Sequence, residues 1–219
     1  MKLKVCGMKL NTEEVGSLQP DYLGFIFWQP SKRFFNTKMP KLPDTIKKVG
    51  VFVDASVEEV LDKIKKYDLW GVQLHGNETP KYCRQLVEKC HAELVEAQSV
   101  TGRIIKIIKV FSIKDNFDFS ILEAFEEACD FFLFDTKGKL PGGNGYVFDW
   151  KVLEDYPSTK PFFLSGGIGL DQMESIRDFL QRPEAQFCHA IDVNSRFEIA
   201  PGLKDVGHLT KFKNNLEQV

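Results

Sequence analysis

The most regular feature of the chain is a series of short apolar runs separated by segments of helical periodicity. Most of the runs are rich in Val, Ile and Phe and almost continuously apolar, which is typical of parallel strands covered on both faces. They lie at residues 3–6, 22–27, 48–53, 71–75, 104–110, 131–135, 162–165 and 190–194. The pattern therefore predicts eight short strands in 219 residues.

Helical patterns lie between the runs. The clearest covers residues 57–67, where Ser56 is a good N-cap and Glu59 completes a capping box. Similar patterns lie at 79–89, 121–129, 170–180 and 206–216. Alternating strands and helices predict an α/β fold with a parallel sheet, and eight units favour a compact (β/α)8 TIM barrel, a single domain over residues 1–219. We interpret the extra segment 91–103 as an insertion on the face away from the carboxyl ends of the strands.

Composition narrows the class of protein. Lys and Arg number 29 against 31 Asp and Glu, a formal net charge of −2, which argues against a general nucleic-acid binder. No apolar run has the length of a membrane helix, and the first residues lack the apolar region of a secretory signal. Five cysteines without a CxxC pair favour reduced thiols. We expect a cytoplasmic protein that binds neither nucleic acid nor membrane.

Two reactive side chains end predicted strands. Cys6 closes the first strand before Gly7, and Asp135 closes the sixth. Barrels of this kind keep their chemistry at the carboxyl ends of the strands, where a thiol could serve as a base and a carboxyl group as an acid. The competing interpretations are a buried apolar cysteine and a helix N-cap. Asp149 is the better cap for the following helix, which leaves Asp135 for the barrel mouth.

Glycines and small polar residues end the last two strands. Gly166 and Gly167 follow the seventh strand, and Asp192, Asn194 and Ser195 close the eighth. Glycine permits a close backbone approach, and in barrels this pair of loops often holds a phosphate group. A Gly-Gly pair alone is also common in simple turns. The two loops together predict a phosphate site.

Two further polar residues follow strands on the same face. Arg33 lies in a basic loop after the second strand, and could meet a carboxylate with two hydrogen bonds or simply be solvated. His75 ends the fourth strand and is either a substrate contact or a partly buried, hydrogen-bonded histidine. With four histidines and neither HxH nor HExxH spacing, the sequence predicts no metal site.

In this order the motifs resemble the phosphoribosylanthranilate isomerase family of tryptophan biosynthesis. The likeness runs from Lys2 to about Lys213 and includes Lys4-Val5-Cys6-Gly7, Ser31-Lys32-Arg33, Val72-Gln73-Leu74-His75-Gly76, Phe134-Asp135-Thr136, Ser165-Gly166-Gly167-Ile168 and Asp192-Val193-Asn194-Ser195. One departure is Arg196, where the family often has glycine. A residue other than glycine is disfavoured there if the loop needs positive φ, whereas an arginine could help to balance the charge of a phosphate. The other is the segment 91–103.

The resemblance implies an Amadori rearrangement of N-(5'-phosphoribosyl)anthranilate without metal or other cofactor. It implies Cys6 as general base, Asp135 as general acid and Arg33 as the contact for the anthranilate carboxylate. His75 and Asp192 are expected to touch the substrate, which is a small phosphoribosyl compound. The backbone of Gly166, Gly167, Asn194 and Ser195 is expected to hold its phosphate.

Two alternatives stay open. A related aminoaldose isomerase of the histidine pathway resembles this family in fold and reaction type, but it ends its first strand in an aspartate where this chain has Cys6. A non-catalytic barrel that only binds phosphate would have no need of both Cys6 and Asp135. Relatives of similar sequence differ in assembly, and a monomer is the weakly favoured state.

Overall fold

The computed structural model describes residues 1–96, 105–114, 116–136 and 148–219. Eight parallel strands hydrogen-bond in chain order and close into a barrel, with β8 paired to β1. They are β1 Lys2–Val5, β2 Tyr22–Ile26, β3 Lys47–Phe52, β4 Gly71–Leu74, β5 Lys106–Ile113, β6 Phe131–Thr136, β7 Phe162–Leu164 and β8 Cys188–Val193. The predicted (β/α)8 barrel is confirmed, because each predicted run overlaps one of these strands.

Five α-helices lie among the described residues, on the outside of the barrel. They are α1 Thr12–Ser17, α2 Val57–Tyr67, α3 Pro80–Glu96, α4 Met173–Leu180 and α5 Val206–Leu216. The predicted capping box at the start of α2 is present, with the Glu59 amide donating to the Ser56 hydroxyl. Asp205 caps α5 by accepting a hydrogen bond from the amide of His208.

Several connections are 3₁₀ turns instead of α-helices. The helix predicted at 121–129 is a 3₁₀ segment, Phe119–Phe125, and the one predicted at 170–180 begins as a 3₁₀ turn, Leu170–Gln172, before α4. Asp149 is the N-cap of the turn Trp150–Asp155, as predicted, because its carboxylate accepts from the amide of Lys151. Pro183–Phe187 and Ser195–Phe197 are also 3₁₀ turns.

The segment 91–103 differs in part from the interpretation as an insertion. Helix α3 continues to Glu96, so residues 91–96 prolong the helix predicted at 79–89. Residues 97–103 lie outside the described residues. A short antiparallel hairpin, β9 Glu198–Ala200 and β10 Leu203–Lys204, follows β8 and was not predicted.

The core has two parts, because successive side chains of each strand point alternately out of the barrel and into it. Leu3 and Val5 of β1 pack outward with the large core between the barrel and its helices. Lys4, between them, points into the barrel, where it meets Gln73 of β4 and Asp192 of β8. The part of the interior farther from the carboxyl ends of the strands is apolar. It contains Tyr22, Val49, Ile108, Val110, Leu133, Phe163 and Ala190. The barrel interior therefore changes from apolar to charged toward the carboxyl ends of its strands.

Candidate active site

A cleft opens at the carboxyl ends of the strands and encloses about 700 Å³, including the solvent at its mouth. The site residues predicted from the sequence come from the ends of six of the eight strands, which are β1, β2, β4, β6, β7 and β8. All nine site residues predicted from the sequence line it: Cys6, Arg33, His75, Asp135, Gly166, Gly167, Asp192, Asn194 and Ser195. The barrel therefore brings together residues that lie up to 189 positions apart in the chain (6 to 195).

Cys6 lies just beyond β1, and its side chain is buried, with 5% of the residue exposed. Its amide donates to the carbonyl of Val193, which fixes the thiol against β8. Gly24 makes room for it, because a Cβ atom there would lie 2.8 Å from the sulfur. Burial raises the pKa of the Cys6 thiol, and the nearby Lys4 ammonium acts against that rise. The sulfur is thus a buried thiol with a cation beside it.

Asp135 is almost fully buried at the end of β6, with 6% of the residue exposed. Its Oδ1 accepts a hydrogen bond of 2.9 Å from the amide of Thr136. Its Oδ2 lies 3.4 Å from Nε2 of His75, which is longer than a good hydrogen bond. The other ring nitrogen of His75, Nδ1, lies 3.3 Å from the side-chain amide nitrogen of Gln73.

Asp192 has one oxygen engaged and one without a partner. Its Oδ2 forms a buried ion pair of 2.8 Å with Lys4. Its Oδ1 is buried and has no hydrogen-bond partner among the described residues. Burial raises the pKa of the Asp192 carboxyl, and the Lys4 ammonium opposes that effect. A buried oxygen without a partner is costly, so Oδ1 is suited to accept a hydrogen bond from a ligand.

Arg33 is held by a residue that the sequence did not single out. Its Nε donates to both carboxylate oxygens of Glu198, at 2.9 and 3.0 Å, and its Nη2 donates to Oε2 at 2.7 Å. Glu198 also accepts 2.9 Å from the buried ammonium of Lys204. Lys204 in turn donates to Oδ1 of Asn194, at 2.8 Å. The hairpin β9–β10 therefore ties the Arg33 loop to the end of β8.

Glycines shape the wall formed by the last two strands. Gly166 and Gly167 have φ of +97° and +68°, which L side chains adopt only with strain. Gly7 also has a positive φ, and a Cβ atom there would lie 2.6 Å from Oδ1 of Asn194. These positions let backbone amides approach a ligand closely. The amides and the turn Ser195–Phe197 form an arrangement suited to an anion.

Arg196, the departure noted in the sequence, fits this wall without strain. Its φ is not among the positive values found for non-glycine residues, which are those of Gln19, Asp54 and Asp68. Its Nη2 pairs with Asp171 at 2.5 Å, and its side chain passes over Gly169. The expected penalty for a non-glycine residue therefore does not apply, and a cation stands at the rim of the wall that contains Gly166 and Gly167.

Four residues that contact the predicted site residues were not singled out in the sequence: Lys4, Gln73, Glu198 and Lys204. A buried lysine cannot be told from a surface lysine by type alone, but Lys4 shares the inward face of β1 with Cys6 by the alternation of the strand. Among the described residues, no group of three or more His, Cys, Asp or Glu is placed to hold a metal ion. None of the helices within the described ranges is long and apolar enough to cross a membrane.

Comparisons of the sequence with known proteins all point to one enzyme family. Residues 3–215 match the family described as N-(5'-phosphoribosyl)anthranilate (PRA) isomerase. An N-(5'-phosphoribosyl)anthranilate isomerase of Parabacteroides distasonis is 39% identical, with 100% of this chain and 93% of the relative covered. The enzyme of the same name from Phocaeicola vulgatus is 37% identical, with 100% and 98% covered.

Solved structures of proteins with the same name as these relatives superpose on this chain. The crystal structure of phosphoribosyl anthranilate isomerase from Thermotoga maritima superposes with a TM-score of 0.78 at 28% identity, covering all of both chains. A phosphoribosyl anthranilate isomerase in complex with reduced 1-(o-carboxyphenylamino)-1-deoxyribulose 5-phosphate superposes with a TM-score of 0.73 at 25% identity, again over all of both chains.

Proposed function

This chain belongs to the N-(5'-phosphoribosyl)anthranilate isomerase family, and we propose that Cys6 and Asp135 are the general base and general acid of its reaction. The enzyme isomerises N-(5'-phosphoribosyl)anthranilate in tryptophan biosynthesis, converting an aminoaldose into a 1-deoxyribulose phosphate. The observation that carries the assignment of roles is that a buried thiol and a buried carboxyl group line one cleft, between a basic group and an anion-binding wall.

Asp135 is assigned to the first step, the opening of the ribose ring. A protonated Asp135 donates to the furanose ring oxygen as the bond from that oxygen to C1 breaks. The electron pair of the anthranilate nitrogen forms the C1=N bond, which gives a Schiff-base cation and an Asp135 carboxylate. The Thr136 amide and the nearby His75 ring offer the groups that can stabilise that carboxylate.

Cys6 is assigned to the second step, the removal of the proton from C2. The Schiff-base cation makes this proton acidic, so a thiolate is a sufficient base. The electron pair of the C2–H bond forms C1=C2, and the pair of C1=N returns to nitrogen. The enolamine then takes a proton at C1 as its C2 hydroxyl group loses a proton, and the C1=C2 double bond is replaced by the C2=O bond of the ketone. The route uses proton transfers alone, because the substrate nitrogen itself accepts the electron pair, and each group is expected to contribute about 10²–10⁴-fold.

The phosphate is assigned to the wall formed by the Gly166 and Gly167 amides, Asn194 and Ser195. Positive φ at both glycines and the 3₁₀ turn after Asn194 support this assignment. Arg196 adds a positive charge at the rim, and its partner Asp171 is more than half exposed, so the arginine can turn toward a phosphate at little cost. A phosphate in this place would leave the rest of the substrate across the mouth.

Arg33 is assigned to the carboxylate of the anthranilate ring. Glu198 engages Nε and one side of Nη2, which leaves the edge formed by Nη1 and Nη2 for a second carboxylate. The related protein in complex with reduced 1-(o-carboxyphenylamino)-1-deoxyribulose 5-phosphate binds a compound that carries both a carboxylate and a phosphate. Asp192, through its Oδ1, is assigned to a hydroxyl group of the sugar.

The roles can be tested by the loss of anthranilate fluorescence as freshly prepared N-(5'-phosphoribosyl)anthranilate is consumed. We expect Cys6→Ala and Asp135→Asn each to lower kcat by about 10²-fold or more. Cys129→Ala, another buried cysteine, and Asp155→Asn, an exposed aspartate, are the matched controls and should keep wild-type rates. Near-wild-type turnover in either active-site variant would remove the role assigned to that residue.

Assembly and location are further proposals. A monomer in the cytoplasm stays the prediction, although a phosphoribosylanthranilate isomerase of Thermotoga maritima is described as dimeric. No interaction with nucleic acid or membrane is proposed.

A further inference from the structure

We propose that Gln73 is a positioning residue that, held by Lys4, keeps His75 in the Nε2–H tautomer and so aims a hydrogen-bond donor at Asp135. The inference rests on the proposed role of Asp135 as general acid. It concerns four side chains, which cross the barrel from β1 to β6 in the order Lys4, Gln73, His75 and Asp135.

The first link is fixed by the chemistry of lysine. The Lys4 ammonium is completely buried and donates 2.8 Å hydrogen bonds to Oδ2 of Asp192 and to Oε1 of Gln73. An ammonium group has donors and no acceptor, so the atom of Gln73 that faces it must be the oxygen. Gln73 is itself 2% exposed and cannot exchange this contact for water. The orientation of its amide is therefore set by its neighbour.

The second link follows from the first. With its oxygen turned to Lys4, Gln73 presents its NH₂ group to the other side, where Nδ1 of His75 lies 3.3 Å away. An NH₂ group can only donate, so Nδ1 must be the acceptor and carries no proton. A neutral imidazole then has its proton on Nε2.

The third link reaches the acid. Nε2 of His75 lies 3.4 Å from Oδ2 of Asp135. Contacts of catalytic groups often shorten when substrate is bound, and a small movement of the ring would bring this distance into hydrogen-bond range. The backbone around His75 is fixed independently, since the buried Lys109 donates to the carbonyls of Leu74 and Gly76 on either side of it. The ring therefore turns on a rigid support.

The tautomer has a direct consequence for the ring-opening step. Once Asp135 has given its proton to the ring oxygen, it is a buried carboxylate and needs donors. The Nε2–H group supplies one beside the amide of Thr136. In the opposite tautomer, a lone pair of Nε2 would face the carboxylate and disfavour it. Gln73 thus acts on the reaction through His75 without touching the reacting atoms.

The substitution that should reverse the tautomer of His75 is Gln73→Glu, which keeps the shape of the side chain. A carboxylate can accept from Lys4 but has no proton to donate to Nδ1, so the tautomer with Nδ1–H becomes the favoured one. Gln181→Glu adds the same charge on an exposed position at the end of α4 and is the matched control. Gln73→Met, which removes both hydrogen bonds, is the second variant if Gln73→Glu does not fold.

The readout is the ¹⁵N NMR spectrum of the histidine rings, which reports each tautomer without any turnover. His75→Asn assigns the His75 signals among the four histidines. We expect the Nε2–H form in the wild type and in Gln181→Glu, and its loss in Gln73→Glu. Gln73→Met is expected to show a mixture of the two tautomers. In the same preparations kcat should fall about tenfold or more in Gln73→Glu, with KM within about twofold.

The results separate this inference from the proposed function. A wild-type His75 in the Nδ1–H form, or a Gln73→Glu variant that keeps the wild-type tautomer, would overturn the positioning role of Gln73 whatever the activity. The expected tautomers with an unchanged kcat in Gln73→Glu would overturn the effect of the His75 tautomer on catalysis. An inactive wild type would instead contradict the proposed function and leave the tautomer result to stand by itself.

Discussion

The charges around Cys6 decide how easily it becomes a base. The thiol is buried, which raises its pKa, and the Lys4 cation lowers it. Asp192 acts in the opposite direction from Lys4, because its carboxylate disfavours a second negative charge close by. The positive charge of Lys204 also lowers the pKa of Cys6. The two members of the Lys4–Asp192 ion pair therefore have opposite effects on the pKa of Cys6.

Removing the negative member of that pair should favour the thiolate. In Asp192→Asn the Lys4 cation keeps its hydrogen bond to Gln73 and loses its counterion, so we expect a lower pKa of Cys6 than in the wild type. Thiolate absorbance measured against pH checks this, with the same protein carrying Cys6→Ala subtracted to remove the other four cysteines. Asp155→Asn is the control. An unchanged or higher pKa of Cys6 would contradict the charge balance described here.

Gly166 illustrates a position where no other residue fits. Its φ is +97°, and a Cβ atom would lie 2.6 Å from the backbone nitrogen of Thr136. In Gly166→Ala we expect the end of β7 to shift, so that KM rises by about tenfold or more through lost phosphate hydrogen bonds. Gly207→Ala, where the new Cβ meets nothing closer than 3.4 Å, should leave KM unchanged. Equal KM values in the two variants would show that the glycine wall does not hold the phosphate.

At the scale of elements, the hairpin β9–β10 carries the residue that orients Arg33. Burial opposes the ionisation of Glu198, but Arg33 and Lys204 outweigh burial and hold the pKa of this carboxyl below its ordinary value of 4.5. A lowered pKa in the folded state means that the ionised carboxylate stabilises the fold above the unfolded pKa. That contribution is lost as the pH falls through the folded pKa.

Glu198→Gln tests this linkage. At neutral pH we expect a free energy of unfolding lower by about 1.5–3 kcal/mol, because hydrogen bonds to a charged group are lost. The difference from the wild type should stay constant down to about pH 5 and shrink below the ordinary value of 4.5. Urea unfolding measured at several pH values gives both curves. A difference that does not depend on pH would mean that the charge of Glu198 is unimportant to the hairpin.

The elements also show what sequence patterns can predict. The strands were found because parallel strands buried on both faces are continuously apolar, as in Phe131–Thr136 and Phe162–Leu164. The 3₁₀ segment Phe119–Phe125 has an apolar spacing similar to that of an α-helix, so the pattern predicts an α-helix there. The hairpin was missed because β9 and β10 have only three and two residues, too few for a pattern.

For the site, strand order and motif spacing were enough to place the residues that end strands. They could not identify residues whose role depends on a partner far away in the chain. Lys4 and Gln73 lie 69 positions apart, and Arg33 and Glu198 lie 165 apart. A lysine or glutamate of this kind looks like a solvated surface residue until the barrel closes around it.

At the scale of the whole molecule, the barrel places the proposed acid and the proposed base on different strands of one closed sheet. Cys6 follows β1 and Asp135 ends β6, three strands away around the barrel in the direction through β8 and β7. The substrate can therefore lie between them, with its anionic ends toward Arg33 and the glycine wall. This arrangement supports a reaction made of two separate proton transfers.

The most direct measurement is the isomerisation run in D₂O, with the deuterium at C1 of the product counted by NMR or mass spectrometry. The account predicts one solvent deuterium at C1, because the C2 proton leaves to the Cys6 thiolate and the enolamine is protonated afresh. It also predicts that Cys6→Ala forms almost no product in the same time. A wild-type product without deuterium at C1 would contradict protonation of the enolamine from solvent, and near-wild-type turnover in Cys6→Ala would contradict the assignment of Cys6 as the base.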